Sequence, residues 1–383
     1  MKILLATPIF PPEIGGPATY SYEVSRRLVE KGHDVRIVTF TDAKPKVENV
    51  EVIPVRLNYG FLGTLRRQLR LFFTLLRAAR GMDLLYAQGA VVVGFCSLIV
   101  GKLLKKPVVV KFVGDVAWEQ AVNTGKTNKL LEEFLIQPDG GLYIKLIMRI
   151  QRFVFHQAAR VITPSYYLKN LLVEFYQVPS SKIEVVYNAV ELVEVKAAKE
   201  KYGQPMAITI GRLVAWKGID ELITLVPALT EKYHNFKLLV VGDGPERDRL
   251  KQHRLETGVE PYVIFTGIVN HEQTLALLKR ADVFILNSKY EGLPHTVIEA
   301  MACRCPVIAT GLEGTREVIE DGRNGITIEP GNTQQLQEKL VFLLENEPLR
   351  QKMIAEAYET VVKKFTWGST LGELEQILSL TAR

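Results

Sequence analysis

Two glutamates in the stretch "YEGLPHTVIEAMACRCPVIAT", residues 290–310, have the type and spacing for substrate chemistry. Glu291 and Glu299 have seven residues between them, and a Gly-Leu-Pro turn follows the first. Ionised carboxylates only accept hydrogen bonds, so they suit the hydroxyl groups of a sugar. Thr296 and Glu299 also match a capping box, in which the glutamate bonds only the start of its own helix. The residue types leave both roles open for Glu299.

A second group of residues could bind phosphate. In "ITIGRLVAWKGIDEL", Arg212 and Lys217 lie between a strand-like run and a helical run. A guanidinium offers a planar fork to phosphate oxygens, an ammonium offers a point charge, and a helix start at Gly218 adds N–H donors. Together these groups predict a diphosphate site. The alternative is that both cations are solvated surface residues.

Glycines follow other strand-like runs in the same way. Gly242 in "VGDGPERDRL" repeats the strand, glycine and helix arrangement. Paired Gly15 and Gly16 follow the first strand and precede Pro17, where backbone N–H groups could approach an anion. An ordinary turn before a helix is the alternative for that pair. The G-x-G-x-x-G fingerprint of dinucleotide-binding domains is missing after the first strand, which disfavours an NAD-dependent oxidoreductase.

Strand-like runs alternate with amphipathic helical runs along the chain, which predicts an α/β fold with parallel sheets. The pattern opens with "KILLAT" and restarts at "MAITIGR", and a polar, lysine-rich stretch lies between the halves. We therefore expect two domains with a boundary near residues 188–200. The predicted ranges are 1–190, 191–365, and a C-terminal helix at 366–383 that could pack back on the first domain.

The charges are unevenly distributed. Residues 1–195 hold 25 Lys and Arg against 17 Asp and Glu, a net charge of +8, whereas residues 196–383 hold 23 against 25, a net charge of −2. We expect the basic half to face something anionic other than nucleic acid. Residues 61–80, "FLGTLRRQLRLFFTLLRAAR", predict an amphipathic helix with no acidic residue that could lie on an anionic membrane. Its expected apolar face is Leu62, Leu65, Leu69, Phe72, Phe73 and Leu76, and a core-facing helix with solvated arginines is the alternative.

The sequence favours a cytoplasmic enzyme, with the inner face of the cell membrane as a second location if residues 61–80 bind lipid. No apolar run reaches the roughly 18 to 20 residues of a membrane span, and the N-terminus does not match a signal peptide. The sparse cysteines Cys96, Cys303 and Cys305 fit buried thiols in a reducing compartment and cannot form a four-ligand zinc site.

The ordered set of motifs resembles the retaining GT-B glycosyltransferases usually numbered family 4. The motifs are "PPEIGGPA", "RLVEKGHDVRIVT", "YNAV", "GRLVAWKG", "VGDGPER", "FTGIV" and "EGLPHTVIEAMACRCPVIAT…EGTREVIEDGRNG". The likeness covers nearly the whole chain, and the two glutamates with their surroundings are specific to the family. Relatives usually carry glycine where this chain has Arg304.

The resemblance implies two Rossmann-like domains whose parallel sheets face each other across a cleft. It implies a nucleotide-sugar donor held mostly by the second domain and an acceptor bound mostly by the first. Glu299 would hold the donor ribose and Glu291 the donor sugar, while Asp115 stands about where relatives place a His or Asp near the sugar. The implied donor-binding residues are Gly15, Gly16, Arg212, Lys217, Gly242, Glu291, Gly292, Leu293, Pro294 and Glu299. The implied catalytic residues are Glu291, Arg212, Lys217 and Asp115.

The function expected from the resemblance is a retaining transfer of a sugar from a nucleotide diphosphate sugar to a hydroxyl acceptor, a glycan or a lipid-linked or envelope glycan. Because no two aspartates are spaced D-x-D, we expect no metal ion and no other cofactor. Positioning and stabilisation of the leaving group would then supply most of the catalysis. The alternatives are a nucleotide-sugar epimerase on the same fold and a non-catalytic nucleotide-sugar-binding protein.

Overall fold

A computed structural model describes residues 1–13, 15–43, 45, 47–56, 63–199 and 202–382 of the chain. It divides into two compact units. The first domain comprises Met1–Tyr187 with Thr370–Arg383, and the second comprises Asn188–Ser369.

The first domain is a parallel sheet covered by helices. Its strands are β1 (Lys2–Thr7), β2 (Asp34–Phe40), β3 (Glu51–Val55), β4 (Leu84–Gln88), β5 (Val108–Lys111), β6 (Arg160–Thr163) and β7 (Ile183–Val185). Its helices are α1 (Gly16–Glu30), α2 (Gly63–Ala78), α3 (Phe95–Leu104), α4 (Val116–Asn123), α5 (Leu131–Ile136), α6 (Gly141–Gln157) and α7 (Tyr166–Glu174). The strand order is β3-β2-β1-β4-β5-β6-β7. Parallel strands buried on both faces are continuously apolar, and β1 and β4 follow this pattern.

The second domain repeats this architecture. Its strands are β8 (Met206–Ile210), β9 (Lys237–Val241), β10 (Val263–Gly267), β11 (Val283–Leu286), β12 (Val307–Thr310) and β13 (Ile326–Ile328). Its helices are α8 (Ile219–Lys232), α9 (Arg247–Glu256), α10 (His271–Arg280), α11 (His295–Ala302), α12 (Glu313–Arg316), α13 (Thr333–Glu345) and α14 (Glu347–Lys364). The strand order is β10-β9-β8-β11-β12-β13, and all pairings are parallel.

Each sheet has one position where the strand order reverses. It lies between β1 and β4 in the first domain and between β8 and β11 in the second. Connections on either side of such a point leave in opposite directions and open a crevice beyond the carboxyl ends of the strands, where α/β proteins bind ligands. The loops after β8 and β11 contain Arg212, Lys217 and Glu291.

The last helix, α15 (Trp367–Ala382), begins in the second domain and continues into the first. Within the first domain, Glu375 on this helix accepts from Lys31 Nζ at 2.5 Å and lies 2.9 Å from His33 Nε2. Ser379 on the same helix approaches the sulfur of Met1. These contacts connect the end of the described chain with the first strand and first helix.

Helix α2 carries apolar side chains on two faces. The face turned to the core carries Leu71, Leu75 and Ala78, none of which was assigned to the predicted face. Three members of the predicted face, Leu65, Leu69 and Phe73, are exposed, and Leu62 lies outside the described residues. The helix thus has apolar side chains on its outer side as well as its inner side. None of the helices in the described ranges has the length and apolar character needed to span a bilayer.

Candidate functional site

The loops after β8 and β11 bring a lysine and a glutamate together. Lys217 Nζ lies 2.6 Å from Glu291 Oε1, although 74 residues separate them in sequence. Lys217 closes a short 3₁₀ turn, Ala215–Lys217, and Glu291 precedes the turn into α11. Both side chains are mostly buried yet retain some solvent exposure. The pair therefore holds a cation and a carboxylate in fixed positions at the reversal point of the second sheet.

The backbone beneath this pair requires glycine. Gly218 has φ of +58°, a left-handed conformation, and a Cβ there would lie 2.4 Å from the carbonyl oxygen of Asn287. Asn287 Nδ2 donates to Gly218 O at 3.0 Å and to Glu221 Oε2 at 2.7 Å. Since Asn287 directly follows β11, these bonds join the two loops that carry Lys217 and Glu291.

The loop after β9 packs against the same region. Gly242 has φ of +130°, and a Cβ on it would lie 2.0 Å from the carbonyl oxygen of Gly211. The amide of Leu213 donates to the carbonyl oxygen of Asp243 at 3.0 Å. Gly242 is thus required by the close approach of two backbones, whether or not it also contacts a ligand.

The turn Gly292-Leu293-Pro294 is buried and held from one side by α12. A Cβ on Gly314 would lie 2.4 Å from Glu291 O and 2.6 Å from Gly292 O, so only glycine allows this approach. The main chain on which Glu291 sits is therefore fixed independently of its ion pair with Lys217.

Glu299 lies inside α11 and does not cap it. Pro294 stands at the N-cap position, and no side chain bonds the start of the helix. The capping-box alternative for Thr296 and Glu299 is therefore wrong, because the helix begins two residues earlier than the box requires. Glu299 Oε1 instead faces two imidazoles, with His295 Nδ1 at 3.4 Å and His271 Nδ1 at 3.6 Å.

The two histidines determine the charge state of Glu299. Burial by itself would raise the pKa of this carboxyl, but the opposing effect of His295, assisted by His271, leaves its pKa below the ordinary value. Burial and the nearby Glu299 charge also raise the pKa of the Cys303 thiol to about 12. Glu299 is thus an ionised and almost completely buried carboxylate next to the protonated thiol of Cys303.

Arg212 is placed differently from Lys217. Its side chain is exposed, and it makes no hydrogen bond or ion pair with any residue that the structure describes. It follows β8 by two positions, at the carboxyl edge of the sheet. A guanidinium in that position keeps all its donors available for a ligand.

In the first domain, the paired glycines lie at the start of α1. Gly15 precedes the helix, and its carbonyl oxygen accepts from the amides of Ala18 and Thr19 at 3.0 and 3.1 Å. A Cβ on Gly16 would meet no atom within 4 Å. The fold therefore does not itself demand glycine at Gly16, and diphosphate binding at this pair stays a prediction.

Asp115 is completely buried and serves as the N-cap of α4. Its carboxylate accepts from the Trp118 amide at 2.9 Å, from Gln151 Nε2 at 3.1 Å and from the Tyr176 hydroxyl. Burial raises the pKa of Asp115, and these hydrogen bonds partly offset the rise. The geometry favours a structural role for Asp115, so its contact with the donor sugar is the least supported of the predicted ones.

A buried lysine lies near Asp115 in sequence. Lys111 ends β5, and its ammonium lies 3.2 Å from the centre of the Tyr20 ring. Burial holds the pKa of Lys111 well below its usual range. The Tyr20 hydroxyl lies 3.0 Å from that of Tyr86. Lys111, Tyr20 and Tyr86 thus contact one another at the carboxyl edge of the first sheet.

The sequence did not single out Asn287, Glu221, His271 or His295. His295 stands one turn before Glu299 and was visible as an i, i+4 pair in the sequence. Asn287 and Glu221 are 66 residues apart, and His271 and Glu299 are 28 residues apart, so only the fold reveals these contacts. Over the described ranges, no three His, Cys, Asp or Glu side chains are grouped to hold a metal ion, and the three thiols are free and buried.

Comparisons with known proteins agree with this architecture. A solved structure, Anabaena Alr3699/HepE in complex with UDP and glucose, superposes with a TM-score of 0.80 at 20% identity, covering 99% of this chain and 100% of that chain. A protein named uncharacterized glycosyltransferase MJ1607 from Methanocaldococcus jannaschii is 26% identical over 99% of this chain and 98% of its own length. N-acetyl-alpha-D-glucosaminyl L-malate synthase of Bacillus anthracis is 24% identical over 98% of this chain and 97% of its own length.

The two parallel-sheet domains define the GT-B fold, as the sequence predicted. Residues 14–194 match the family described as Glycosyltransferase Family 4, and residues 193–360 match Glycosyl transferases group 1. The chain is therefore a glycosyltransferase of the group 1, family 4 type, which confirms the predicted family.

Proposed function

We propose that the protein is a retaining glycosyltransferase that moves a sugar from a nucleotide diphosphate sugar to a hydroxyl acceptor. The observation that carries this proposal is the 2.6 Å contact between Lys217 and Glu291 at the reversal point of the second sheet. An active site for glycosyl transfer needs cations for the departing diphosphate and a carboxylate for sugar hydroxyls. The Lys217–Glu291 pair supplies one of each within a single contact.

Each charged group has a task in this proposal. Lys217 and the exposed Arg212 neutralise the charge that develops on the diphosphate as the bond to the sugar breaks. Lys217 also orients Glu291, whose other carboxylate oxygen accepts from the donor sugar. Glu299, kept ionised by its histidine neighbours, accepts from the ribose hydroxyls. The turn from Gly292 to Pro294 sets the distance between the two glutamates.

The proposal includes metal-independent transfer. Two cations at one sheet edge, with the N–H groups at the start of α8, provide positive potential for the leaving group. Gly218 places the start of α8 directly after Lys217. The members of the predicted donor-binding set that belong to the second domain, among them Gly242 and Leu293, follow strands of its sheet.

The donor, acceptor and location complete the proposal. Because a structure of the same fold was solved with UDP and glucose, uridine nucleotides are the first donors to test. We expect a hydroxyl acceptor on a glycan, free or lipid-linked. The three free cysteines favour a reducing compartment, so we place the reaction in the cytoplasm or at the inner face of its membrane.

A thermal-shift panel of UDP, GDP, ADP and their sugars tests donor binding first. A ligand at about 100 times its dissociation constant adds roughly 2.7 kcal/mol of stability, which such a scan detects readily. The selected nucleotide sugar is then incubated with and without candidate acceptors, and the products are analysed for transfer and for anomeric configuration. Inversion at the anomeric carbon would contradict the retaining mechanism.

The same incubations separate the alternatives. An epimerase would convert the donor sugar with no acceptor present, and a binding protein would stabilise without turnover or hydrolysis. Lys217→Ala serves as the inactive control, because a transferase or an epimerase that uses the Lys217–Glu291 pair should lose turnover in this variant. A panel in which no nucleotide raises the melting temperature would contradict the proposed function altogether.

A further inference from the structure

Three helices of the first domain share an unusual composition. Helices α2, α3 and α6 contain eight Lys and Arg residues and no Asp or Glu. The rest of the chain holds 42 acidic and 40 basic residues, because eight of the 48 Lys and Arg lie in these helices. The cations are Arg66, Arg67, Arg70, Arg77, Lys102, Lys145, Arg149 and Arg152.

Helix α6 presents an apolar stripe outward as α2 does. Its inner face is formed by Ile144, Ile147, Gln151, Val154 and Phe155. Its outer face carries large apolar side chains spaced for one side of a helix, and Leu142 is 87% exposed. The other members are Tyr143, Leu146 and Phe153, with Lys145, Arg149 and Arg152 exposed among them.

The outer faces of α2 and α6 are connected through α3. Helix α3 packs against both. On one side, the Cys96 thiol lies 3.3 Å from Gln68 Oε1 of α2. On the other side, the Phe95 and Phe153 ring centres are 6.1 Å apart, and the Lys102 ammonium lies 5.3 Å from the centre of the Phe153 ring. The basic apolar surface therefore covers three neighbouring helices of one domain.

We propose that α2, α3 and α6 form a membrane-docking surface that binds a bilayer leaflet containing anionic lipids. Exposed Leu65, Leu69 and Phe73 on α2 and Leu142 and Leu146 on α6 enter the headgroup boundary. The surrounding cations bind the lipid phosphates. This inference adds α3 and α6 to the contact expected for residues 61–80, and it does not depend on glycosyl transfer.

The combination of groups favours a bilayer over other occupants. A purely basic surface would suit any polyanion, whereas exposed leucines and phenylalanines placed between the cations need an apolar phase next to an anionic one. A second copy of this surface would bring eight cations against eight, which is repulsive without counterions. Anionic lipid supplies both the charge and the hydrocarbon.

Vesicle flotation of the full chain without donor tests the surface. We expect binding to phosphatidylcholine vesicles that contain phosphatidylglycerol, weaker binding at high salt, and little binding to phosphatidylcholine alone. Equal binding to both kinds of vesicle, or binding to neither, would overturn the proposal. Sedimentation without vesicles shows whether the surface pairs two copies instead, and a dimer abolished by Leu142→Ser/Leu146→Ser would also overturn it.

Charge variants on each helix separate the contributions. Lys145→Gln/Arg149→Gln on α6 and Arg66→Gln/Arg77→Gln on α2 should each weaken vesicle binding on the order of 25-fold, since each cation near an anionic surface contributes about fivefold. Arg67 is left unchanged, because its guanidinium lies 5.2 Å from the Phe40 ring centre and supports the fold. An α6 variant that binds like the parent would limit the surface to α2 and contradict the three-helix proposal.

Matched controls lie on the second domain. Lys352→Gln/Lys364→Gln removes two exposed cations there, and Leu255→Ser/Phe342→Ser removes two exposed apolar side chains. Both controls should bind vesicles like the parent. Every variant is also checked for its melting temperature and for its shift with UDP, so that a misfolded variant is recognised. Loss of vesicle binding with an unchanged UDP shift would support docking independently of the donor site.

Discussion

The two domains repeat one architecture but use the carboxyl edges of their sheets in opposite ways. In the second domain, the reversal point places Lys217, Glu291 and Arg212 where a ligand can reach them. In the first domain, Lys111 and Asp115 at the same edge are buried and satisfied by side chains of their own domain. The same topology therefore supports an accessible charged site in one domain and a closed polar core in the other.

This difference indicates which residues determine specificity for the donor. A parallel sheet provides the crevice. The residues that follow each strand determine whether charged side chains point into this crevice or are buried within the domain. The buried Asp115 of the first domain supports folding, whereas Arg212, Lys217 and Glu291 of the second domain are accessible for binding. Substitutions should therefore divide into changes in activity in one domain and changes in stability in the other.

The largest effect is expected at the cations of the second domain. Lys217→Ala and Arg212→Ala should each reduce turnover about 100- to 1,000-fold, because removal of one preorganised donor to a developing charge costs that much. The folded state should survive, since neither side chain is fully buried. Turnover and urea midpoints are measured together, and the parent is assayed in excess EDTA. Activity lost in EDTA and restored by magnesium or manganese would assign the leaving group to a metal instead.

The counterpart in the first domain is Asp115→Ala. It removes the cap of α4 and leaves the Gln151 amide and the Tyr176 hydroxyl without their acceptor, so we expect a loss of about 2 to 4 kcal/mol of stability. Turnover per folded molecule should change less than about tenfold. Urea unfolding and kcat/KM decide between the roles. Unchanged stability with a large loss of turnover would make Asp115 catalytic and remove the contrast between the domains.

Glu299→Gln sharpens the comparison within the second domain. If Glu299 accepts from the ribose hydroxyls, donor affinity should fall by about 1.5 to 3 kcal/mol, the usual contribution of a hydrogen bond to a charged group. Isothermal titration with the donor nucleotide measures it. Because Glu299 caps nothing, helix stability gives no other reason for a loss of affinity. Donor binding that matches the parent would disprove the ribose contact.

The smallest expected effect concerns pH. The histidines hold the pKa of Glu299 below its ordinary value, so affinity that needs the carboxylate is complete above that value and is lost only as pH falls through the lowered pKa. His295→Ala removes one of the two groups that lower the pKa of Glu299. The pKa of Glu299 therefore rises, and the loss of donor affinity begins at a higher pH. As the pH is lowered, we expect the variant to lose donor affinity earlier than the parent does, and by less than Glu299→Gln loses at neutral pH. Identical pH profiles for parent and variant would show that His295 does not control the charge.

The sequence predicted the fold well because apolar strands and amphipathic helices repeat in a regular order. It also identified Lys217 and Glu291 as candidates, although their contact spans 74 residues and required the fold to be seen. The predicted apolar face of α2 includes Leu65, Leu69 and Phe73, which are exposed. The core-facing side with Leu71, Leu75 and Ala78 was not predicted, because one apolar period does not show that a helix is apolar on both sides. The predicted capping box is wrong because α11 begins after Pro294, two residues before the expected cap Thr296.

Arg304 explains one departure from the family pattern. It follows the C-cap of α11 with φ of +60°, the left-handed conformation in which glycine is favoured. Its guanidinium lies 4.0 Å from the centre of the Tyr358 ring on α14. The cost of an arginine in this conformation, about 1 kcal/mol, is offset by a cation–π contact of similar size. The turn therefore has the left-handed conformation that glycine would adopt at this position.

Helix α15 implies an order of events during synthesis. The first domain is discontinuous in the chain, because Thr370–Arg383 belongs to it and residues 188–369 intervene. A ribosome adding about 5 to 20 residues per second needs roughly 10 to 35 s to make that intervening segment. During this interval Lys31 and His33 lack their partner Glu375, because the last helix has not yet been synthesised. The domain that is translated first is thus the one that is completed last.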